Sequence, residues 1–244
     1  YLSAVVTQNV DSFHSMAHPD LPTIELHGFL RSVVCLSCHQ LWDRGKFQDE
    51  LTRLNPAWAE FLDNIVASGA LDTTNPEEQR KRGLKLNPDG DVDIPGAPYS
   101  MFRYPPCPRC LHDPPTLQDG SRGIVEVEPD GAWSPTSTAG ILKPAVIMFG
   151  ESTNPAVRTA AEEAIDDAGR LLVLGSSLAT YSAWRLVDRA RKRGMAIGII
   201  NVGGVRNEAQ IFGPEETYLD NHVRCSHRTE LILPAVVERL TAIR

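Results

Sequence analysis

The sequence predicts an α/β fold built on a doubly wound parallel sheet that is interrupted by a small inserted module. Two observations predict this architecture. In the C-terminal half, short and fully apolar runs alternate with amphipathic helical segments, which is the pattern of buried parallel strands joined by helices. In the N-terminal half, two Cys-x-x-Cys pairs enclose a long stretch rich in Pro, Gly and charged residues. The first pattern predicts a Rossmann-like sheet, and the second predicts a zinc-binding insert.

The elements of the sheet begin with the apolar run YLSAVVTQN at the start of the chain, which has strand character. Further along, residues 145–150 are predicted to form a short buried strand. A helix follows this strand, because Asn154 can cap a helix and Pro155 suits its first turn. Apolar residues then recur at helical spacing from Val157 to Ala168, with acidic residues on the solvent side.

The remaining elements continue the alternation of strand and helix. Residues 171–175 and 195–204 predict two more buried strands, and the segment YSAWRLVDRARKRG between them predicts an amphipathic helix. A last helix, from about 234 to 243, is predicted to pack on the sheet. The residues of the amphipathic helix that are predicted to face the core are Trp184, Val187 and Ala190.

Composition excludes some classes of partner. The chain has 244 residues, and 42% of them are apolar, so it can bury a substantial core. Its net charge of −7 argues against nucleic-acid binding and leaves attraction of cationic partners open. No apolar run reaches the length of a membrane span. We therefore expect neither a nucleic-acid partner nor a membrane partner, and the sequence does not determine the oligomeric state.

Four of the five cysteines form the pairs Cys35/Cys38 and Cys107/Cys110. Two such pairs favour one tetrahedral zinc site over disulfides. A site made of four thiolates has no open coordination position, so we expect the zinc to be structural. His39 is the other local residue that could replace one of the cysteines. Cys225 is left over, and from composition alone it is most simply a small buried apolar side chain.

Polar and small residues follow three of the predicted strands at their carboxyl ends. These are the segments TQNVD (residues 7–11), GSSL (residues 175–178) and NVGG (residues 201–204). Ligands of open parallel sheets bind at this edge, where backbone N–H groups and a helix N-terminus favour phosphate. Each segment alone is also compatible with an ordinary turn or polar cap. Two adjacent strand ends of this kind favour a nucleotide, although the chain has no GxGxxG fingerprint.

Together these segments resemble the sirtuins, the NAD-dependent protein-lysine deacylases. TQNVDSFH resembles the family's Thr-Gln-Asn-hydrophobic-Asp-x-x-His segment, and ELHG resembles its Glu-x-His-Gly. The two cysteine pairs resemble its zinc module, and GILKPAVIMFGES resembles its substrate strand. LLVLGSSL and IINVGG resemble its cofactor turns, and all six motifs occur in the family's order. The segments GSSLATYSAWR and RLNPAW are most similar to the class II, mitochondrial-type branch.

The resemblance implies a role for each matching residue. His27 is then the catalytic general base, which acts through the ribose hydroxyls of the nicotinamide side, and its ordinary pKa near neutrality suits that work. The backbone carbonyl of Ile147 would accept the N–H of the acyl-lysine, and the substrate peptide would add as a strand. The implied cofactor-binding residues are Gln8, Asn9, Val10, Asp11, Gly175, Ser176, Ser177, Asn201, Val202, Gly203 and Cys225. The implied substrate residues are Val146, Ile147 and Phe149, and the zinc ligands are Cys35, Cys38, Cys107 and Cys110.

The resemblance also has departures. The sirtuin core begins with a Gly-Ala-Gly-Ile-Ser turn and an Asp-Phe-Arg loop, and the chain contains neither. We therefore expect an N-terminally incomplete sheet, and we expect this chain alone to bind NAD poorly or not at all, with the complete gene product as the enzyme. Residues 71–106 and 111–140 are predicted to form long, partly disordered surface excursions. The predicted domains are therefore a first Rossmann-like part (1–34), a zinc-binding module (35–139) and a second Rossmann-like part (140–244).

The implied function is removal of acyl groups from protein lysines at the expense of NAD, giving nicotinamide and O-acyl-ADP-ribose. The expected partners are acyl-lysine proteins or peptides, and the expected cofactors are NAD, as co-substrate, and one structural Zn²⁺. The alternatives are a protein mono-ADP-ribosyltransferase and a non-catalytic, zinc-stapled binding module. The branch resemblance implies the mitochondrial matrix, with cytoplasm and nucleus as alternatives.

Overall fold

The computed structural model describes residues 2–69, 76–81, 83, 85–86, 92–94, 96–98, 102–213 and 221–242. The chain divides into two compact units. The first unit comprises Tyr1–Phe29 and Val146–Arg244, and the second comprises Leu30–Ala145. Among the described residues, no helix combines the length and apolar character that crossing a bilayer requires.

Ten strands and nine helices are assigned within the described residues. In chain order they are β1 (Val5–Thr7), α1 (Phe13–Ala17), β2 (Thr23–Glu25), β3 (Gly28–Cys35), β4 (Leu41–Asp43), α2 (Arg44–Leu54), α3 (Pro56–Ala67), α4 (Pro76–Lys81), β5 (Lys85–Leu86), β6 (Val92–Asp93), α5 (Pro108–His112), β7 (Leu142–Val146), α6 (Pro155–Asp166), β8 (Arg170–Leu174), α7 (Tyr181–Lys192), β9 (Ala196–Ile200), α8 (Glu208–Phe212), β10 (Val223–Cys225) and α9 (Thr229–Ala242).

The first unit contains the predicted parallel strands. β9 lies in the middle of a three-stranded sheet and pairs in parallel with β8 on one side and β10 on the other. β1 and β2 form a second parallel pair, in which Val6 lies opposite Ile24. Parallel neighbours need long crossover connections, which α7 supplies between β8 and β9. The predicted α/β class with parallel sheets and crossover helices is confirmed.

The core of this unit lies under α7. The helix turns an apolar face inward, and that face packs with Ala161 and Ile165 of α6 and with Ile197 and Ile199 of β9. Burial of side chains of this size contributes about 1.5–3 kcal/mol each. The buried residues of α7 are Ala183, Trp184, Leu186, Val187 and Ala190, which include the three predicted ones.

The predicted start of α6 is also confirmed. The Oδ1 atom of Asn154 accepts a hydrogen bond from the backbone N–H of Ala156 at 2.8 Å, and Pro155 occupies the first turn. This bond satisfies one of the N–H groups that a helix leaves unpaired at its N-terminus.

The second unit is built around a three-stranded sheet in the order β4, β3, β7. β3 and β4 are antiparallel, and Val33 lies opposite Trp42. Asp43 ends β4 and caps α2, because its Oδ1 atom accepts a hydrogen bond from the N–H of Lys46 at 2.9 Å. The small core of this unit packs the cysteines against Val33 and Leu142.

The strand predicted at residues 145–150 is placed wrongly. β7 covers Leu142–Val146, so the chain leaves the sheet after Val146. A turn follows it, in which the N–H of Glu151 donates to the carbonyl of Met148 at 3.0 Å and Gly150 has a φ of +89°. The apolar run continues through this turn, so apolar character alone did not reveal where the strand ends.

The prediction for the last helix is wrong in its start and in its packing. α9 begins at Thr229 and contains Pro234 within it, and none of its residues is buried. Glu230 lies in the first turn, where its charge favours a helix N-terminus. Its apolar side chains remain largely in solvent, with Leu231 exposed by 67%, Val237 by 59% and Leu240 by 61%.

The prediction of a partly disordered excursion is wrong for residues 111–140. This segment folds on itself through bridges between Thr116 and Arg122 and between Val127 and Trp133. The indole N–H of Trp133 donates to the carbonyl of Ala139 at 2.9 Å. Short polar side chains satisfy the backbone locally, which composition alone did not indicate. The other predicted excursion, at 71–106, lies partly outside the described residues, which omit 71–75, 82, 84, 87–91, 95 and 99–101.

Candidate functional site

The second unit contains a metal centre made of four cysteine thiols. The Sγ atoms of Cys35 and Cys110 are 3.6 Å apart, those of Cys38 and Cys107 are 3.7 Å apart, and all four lie within 4.8 Å of one another. Four sulfurs at about 2.3 Å from a tetrahedral zinc ion are separated by about 3.8 Å, whereas a disulfide requires about 2 Å. The four thiols therefore fit one zinc ion, as the sequence predicts.

The local chain geometry brings these four residues together. Cys35 ends β3, and Cys107 and Cys110 flank the first turn of α5. The N–H of Cys107 donates to the carbonyl of Gly140 at 2.8 Å, which ties the second pair to the segment just before β7. His39 is exposed and is not part of the cluster, so the structure does not favour it as a replacement ligand.

The surroundings shift the pKa values of three thiols of this centre in two directions. Burial acts to raise the pKa of Cys38, but a backbone hydrogen bond at Gln40 and hydrogen bonds with the neighbouring cysteines outweigh it and lower that pKa. Burial raises the pKa of Cys107 and also that of Cys110. Zinc binds thiolates, so its binding releases protons and is favoured as the pH rises. Because all four positions are filled by cysteine, the metal would hold the unit together and would leave no site for water or substrate.

His27 lies in the first unit, directly after β2. Its neighbours fix the backbone: Leu26 is buried and donates its N–H to the carbonyl of Thr7 at 2.9 Å. The carbonyl of His27 itself accepts the N–H of Ile147 at 2.9 Å. The ring is half-buried, and its Nε2 atom lies 2.8 Å from the Oγ atom of Ser182. Imidazole is the side chain most often used for general acid–base catalysis, so a ring held in this way suits that role.

A chain of hydrogen bonds leads from His27 to two predicted cofactor residues. The hydroxyl of Ser182 donates to Oγ1 of Thr180 at 3.3 Å, and Thr180 donates to Oε1 of Gln8 at 3.0 Å. The Nε2 atom of Gln8 then donates to Oγ of Ser176 at 2.7 Å. The structure therefore brings together His27, the strand end at Gln8 and the turn at Ser176.

The other residues of the first strand end serve local structure. The N–H of Asn9 donates to Oγ1 of Thr7 at 3.1 Å, and Oδ1 of Asp11 accepts the N–H of Phe13 at 3.1 Å. Asp11 thus pairs the first N–H of α1, while Asn9 and Asp11 remain exposed and Val10 is half-buried. Their exposed polar atoms leave them available to a ligand.

The turn after β9 is braced by residues that the sequence did not reveal. Arg224 donates from Nη1 to the carbonyl of Asn201 at 3.0 Å and from Nη2 to the carbonyl of Gly203. Its Nε atom donates to Oε1 of Glu208 at 2.6 Å. Partial burial acts to raise the pKa of Glu208, but the hydrogen bonds from Arg224 and from the N–H of Val205 outweigh it and lower that pKa.

Several remaining predicted residues lie around these strand ends. Gly175 has a φ of +60°, and Ser177 is exposed with its carbonyl accepting the N–H of Arg206 at 2.8 Å. Val202 is exposed, and the carbonyl of Cys225 accepts the N–H of Asn201 at 3.1 Å. Cys225 is half-buried, so the simple expectation of a fully buried side chain does not describe it.

The predicted substrate residues lie in a short segment beside His27. Ile147 contacts His27 through the backbone hydrogen bond, and Val146 and Ile147 are half-buried. Phe149 is 90% exposed, so its side chain projects from the turn and is not brought against the others. The sequence missed Thr180 and Ser182, whose only signal was the spacing of two hydroxyls at the start of a helix.

Comparisons with known proteins agree on one family. A sequence profile described as "Sir2 family" matches residues 1–182. The "NAD-dependent protein deacylase SIR4" of Batrachochytrium dendrobatidis is 36% identical over 85% of this chain and 56% of its own length. The "NAD-dependent protein deacylase SRT2" of Arabidopsis thaliana is 34% identical over 84% of this chain and 46% of its own length. The "NAD-dependent protein lipoamidase sirtuin-4, mitochondrial" of Bos taurus is 31% identical over 84% and 49%. The chain spans about half the length of these relatives.

Solved structures show the same fold. A structure described as "Sir2-p53 peptide-NAD+" superposes with a TM-score of 0.53 at 17% identity, covering 98% of this chain and 63% of the other. Another, "Structural Basis for the Mechanism and Regulation of Sir2 Enzymes", has a TM-score of 0.51 at 22% identity and covers 99% and 62%.

Proposed function

Because the chain belongs to the Sir2 family, we propose that the protein is an NAD-dependent protein deacylase. It removes acyl groups from protein lysines and releases nicotinamide and O-acyl-ADP-ribose. The observation that carries this proposal is the position of His27, which is joined by hydrogen bonds to Gln8 and Ser176 at two strand ends. A base next to a site suited to a sugar and a phosphate is what acyl transfer to a ribose requires.

The proposed roles follow the chemistry of each side chain. His27 accepts a proton and so assists attack on the sugar, and Gln8 and Asn9 hold ribose hydroxyls. Asp11 accepts hydrogen bonds from the nicotinamide carboxamide, and Val10 lines the same segment. The residues proposed to hold the phosphates and the adenosine are Gly175, Ser176, Ser177, Asn201, Val202, Gly203 and Cys225. NAD itself supplies the electrophilic carbon when it is bound.

The acyl-lysine is proposed to bind at Val146, Ile147 and Phe149. The exposure of Phe149 and the half-buried positions of the other two leave this segment accessible to a peptide. Relatives are named deacylase, deacetylase and lipoamidase, which supports acyl-lysine as the substrate class and leaves the length of the acyl chain to experiment. The module at 35–139 is proposed to be held by its zinc ion and to take no part in proton transfer.

The direct test is nicotinamide release from NAD by the full-length gene product, with peptides that carry acetyl-lysine, longer acyl-lysines or acidic acyl-lysines. We expect release that depends on one peptide class and that falls about 10²–10⁴-fold in a His27→Ala variant, which is the range for losing a general base. A His18→Ala variant is the matched control, because His18 is an exposed histidine just after α1 and lies outside the matched motifs.

The other outcomes discriminate between the alternatives. Release that occurs equally without any peptide would identify ADP-ribosyl transfer. No release with any peptide, from a folded and zinc-loaded protein, would favour a binding module.

The mitochondrial matrix is the proposed compartment. The supporting observation is the similarity to a bovine relative that is named mitochondrial. Imaging of a full-length fusion against a matrix marker tests it, and a cytoplasmic or nuclear signal would contradict it.

A further inference from the structure

We propose that Thr180 and Ser182 are positioning residues that hold the neutral His27 ring with its proton on Nε2 and its lone pair on Nδ1. The tautomer is a property of this chain, and only its consequence for catalysis rests on the proposed function. The sequence analysis assigned no role to either residue, and both enter the proposal through hydrogen bonds that the structure shows within one compact unit.

The backbone around His27 leaves only the ring free to turn. The preceding residue donates to Thr7, and the carbonyl of His27 accepts the N–H of Ile147. Among the described residues the ring makes one hydrogen bond, between Nε2 and the Oγ atom of Ser182 at 2.8 Å. This contact determines how the ring is oriented. The tautomer therefore depends on whether the proton in the contact belongs to Nε2 of His27 or to the hydroxyl of Ser182.

The owner of that proton follows from the far end of the series of hydrogen bonds, at Gln8. In the structure, Oε1 of Gln8 faces Thr180, and a carbonyl oxygen only accepts. Thr180 must therefore give its single hydroxyl proton to Gln8, so it can only accept from Ser182. Ser182 has then used its own proton, so its oxygen accepts from His27. The Nε2 atom of His27 must carry the proton, which leaves the lone pair on Nδ1.

The Gln8 amide sets this direction because its two ends face different partners. Its Nε2 group donates to the Oγ atom of Ser176 at 2.7 Å, and the same oxygen also accepts the N–H of Leu178 at 3.1 Å. The hydroxyl proton of Ser176 is left to point away from Gln8. A phosphate oxygen could accept that proton without exchanging donor and acceptor in any hydrogen bond between Ser176 and His27. Ligand binding at Ser176 therefore preserves the tautomer.

The consequence for His27 is a single atom that works as the base. Nδ1 accepts the proton, and the resulting imidazolium still donates from Nε2 to Ser182. The Ser182 oxygen therefore accepts a hydrogen bond from Nε2 in both the neutral and the protonated ring, and the ring does not need to turn during proton transfer. Orientation of a catalytic group in this way lowers the barrier by removing the need to search for the productive geometry.

The experiment is long-range ¹H–¹⁵N correlation spectroscopy on protein labelled with ¹⁵N-histidine, without NAD or peptide. The His27→Ala variant identifies the His27 signals. We expect protonated Nε2 and unprotonated Nδ1 in the unsubstituted protein at a pH where the ring is neutral. In Thr180→Val the hydroxyl of Ser182 is freed to donate to Nε2, so the tautomer ratio should move several-fold toward protonated Nδ1. Thr180→Ser keeps a hydroxyl and should leave the ratio unchanged.

Two results would overturn the proposal: a predominance of protonated Nδ1 in the unsubstituted protein, or an unchanged ratio in Thr180→Val. A second pair of variants reports on catalysis. Ser182→Ala should lower peptide-dependent nicotinamide release about fivefold, the effect of one hydrogen bond of about 1 kcal/mol. Ser182→Thr should restore it.

The two readouts separate this proposal from the proposed function. If the tautomer responds as expected and no variant releases nicotinamide, the positioning stands and the deacylase function fails. If the unsubstituted protein releases nicotinamide and the tautomer ratio of His27 is unchanged in Thr180→Val, the proposed function stands and the positioning role fails.

Discussion

At the scale of single residues, Gly140 shows how backbone conformation and close packing together favour glycine at one position. Its φ is +87°, and its amide and carbonyl hold the zinc module through Oγ of Ser37 at 3.0 Å and the N–H of Cys107 at 2.8 Å. A Cβ atom there would lie 3.1 Å from both methyl groups of Val125. The residue therefore combines a backbone shape that favours glycine with a lack of space.

We predict that Gly140→Ala lowers the free energy of unfolding of the zinc-loaded protein by about 1–3 kcal/mol, because it adds backbone strain and a steric contact. Gly120→Ala is the control, since Gly120 has a φ of +83° and open space around its Cβ position. Urea denaturation measures both. Equal losses of unfolding free energy in the two variants would show that the contact with Val125 does not destabilise the protein.

The carboxylate of Asp166 gives a second prediction at this scale. Hydrogen bonds from Arg189, and then from Arg193, lower the pKa of Asp166 to about 2. A carboxyl whose folded pKa lies below its unfolded value stabilises the fold above the unfolded pKa, and that contribution disappears as the pH falls through about 2. The ion pairs are solvent-exposed, so the effect is small and weakens with salt.

We therefore predict that Asp166→Asn is less stable than the unsubstituted protein at neutral pH and equally stable near pH 2. Asp167→Asn is the matched control, because Asp167 is exposed and has no ion pair among the described residues. Thermal melts across this pH range test the idea, and a deficit that persists at the acid end would contradict it.

At the scale of elements, Asn55 joins two helices and a distant segment. It ends α2 and precedes α3, and its side chain is turned inward, with the residue only 6% exposed. Its amide donates to the carbonyls of Leu51 and Arg103 at 2.8 and 2.6 Å and accepts the N–H of Arg103 at 2.7 Å. The junction of two helices is thereby fixed to residue 103.

We predict that Asn55→Ala destabilises the second unit by about 2–3 kcal/mol, because it leaves buried backbone groups unpaired. Asn64→Ala, at an exposed position of α3, should change the free energy of unfolding by less than about 0.5 kcal/mol. Chemical denaturation compares the two, and similar values would exclude a bracing role for Asn55.

At the scale of the whole molecule, the two units depend on different sources of stability. The core of the first unit is made of apolar side chains around α7, whereas the core of the second consists largely of cysteines with Val33 and Leu142. Metal binding of this type contributes about 10–16 kcal/mol to folding. The second unit should therefore need its metal, and the first should not.

We predict that a chelator will greatly increase hydrogen exchange at the amides of Leu36 and Cys107, which donate to backbone carbonyls in the zinc module. The amides of Ile197 and Ile199 in β9 should remain protected, and added zinc should restore the first set. A zinc-saturated chelator serves as the control. Equal exchange in both units would show that the metal has no selective structural role.

Part of this architecture could be predicted from short-range patterns in the sequence. The cap at Asn154, the apolar face with Trp184 and Val187, and the four cysteine ligands all follow from residue types at short spacing. Helical periodicity and the Cys-x-x-Cys pattern are local rules, so a sequence expresses them directly. The strand predicted at 145–150 failed because apolar character does not indicate where hydrogen bonding to a neighbouring strand ends.

The sequence by itself determined the α/β class, the family resemblance and the four cysteines of the metal centre, and it predicted the cofactor residues. Only the tertiary structure decided which of them meet. It joined His27 to Ser176 through Ser182, Thr180 and Gln8, by hydrogen bonds of which the longest in sequence connects residues 172 positions apart. It also placed Arg224 beneath the turn at Asn201. Side-chain hydrogen bonds depend on distances and angles in three dimensions, and spacing along the chain carries no record of them.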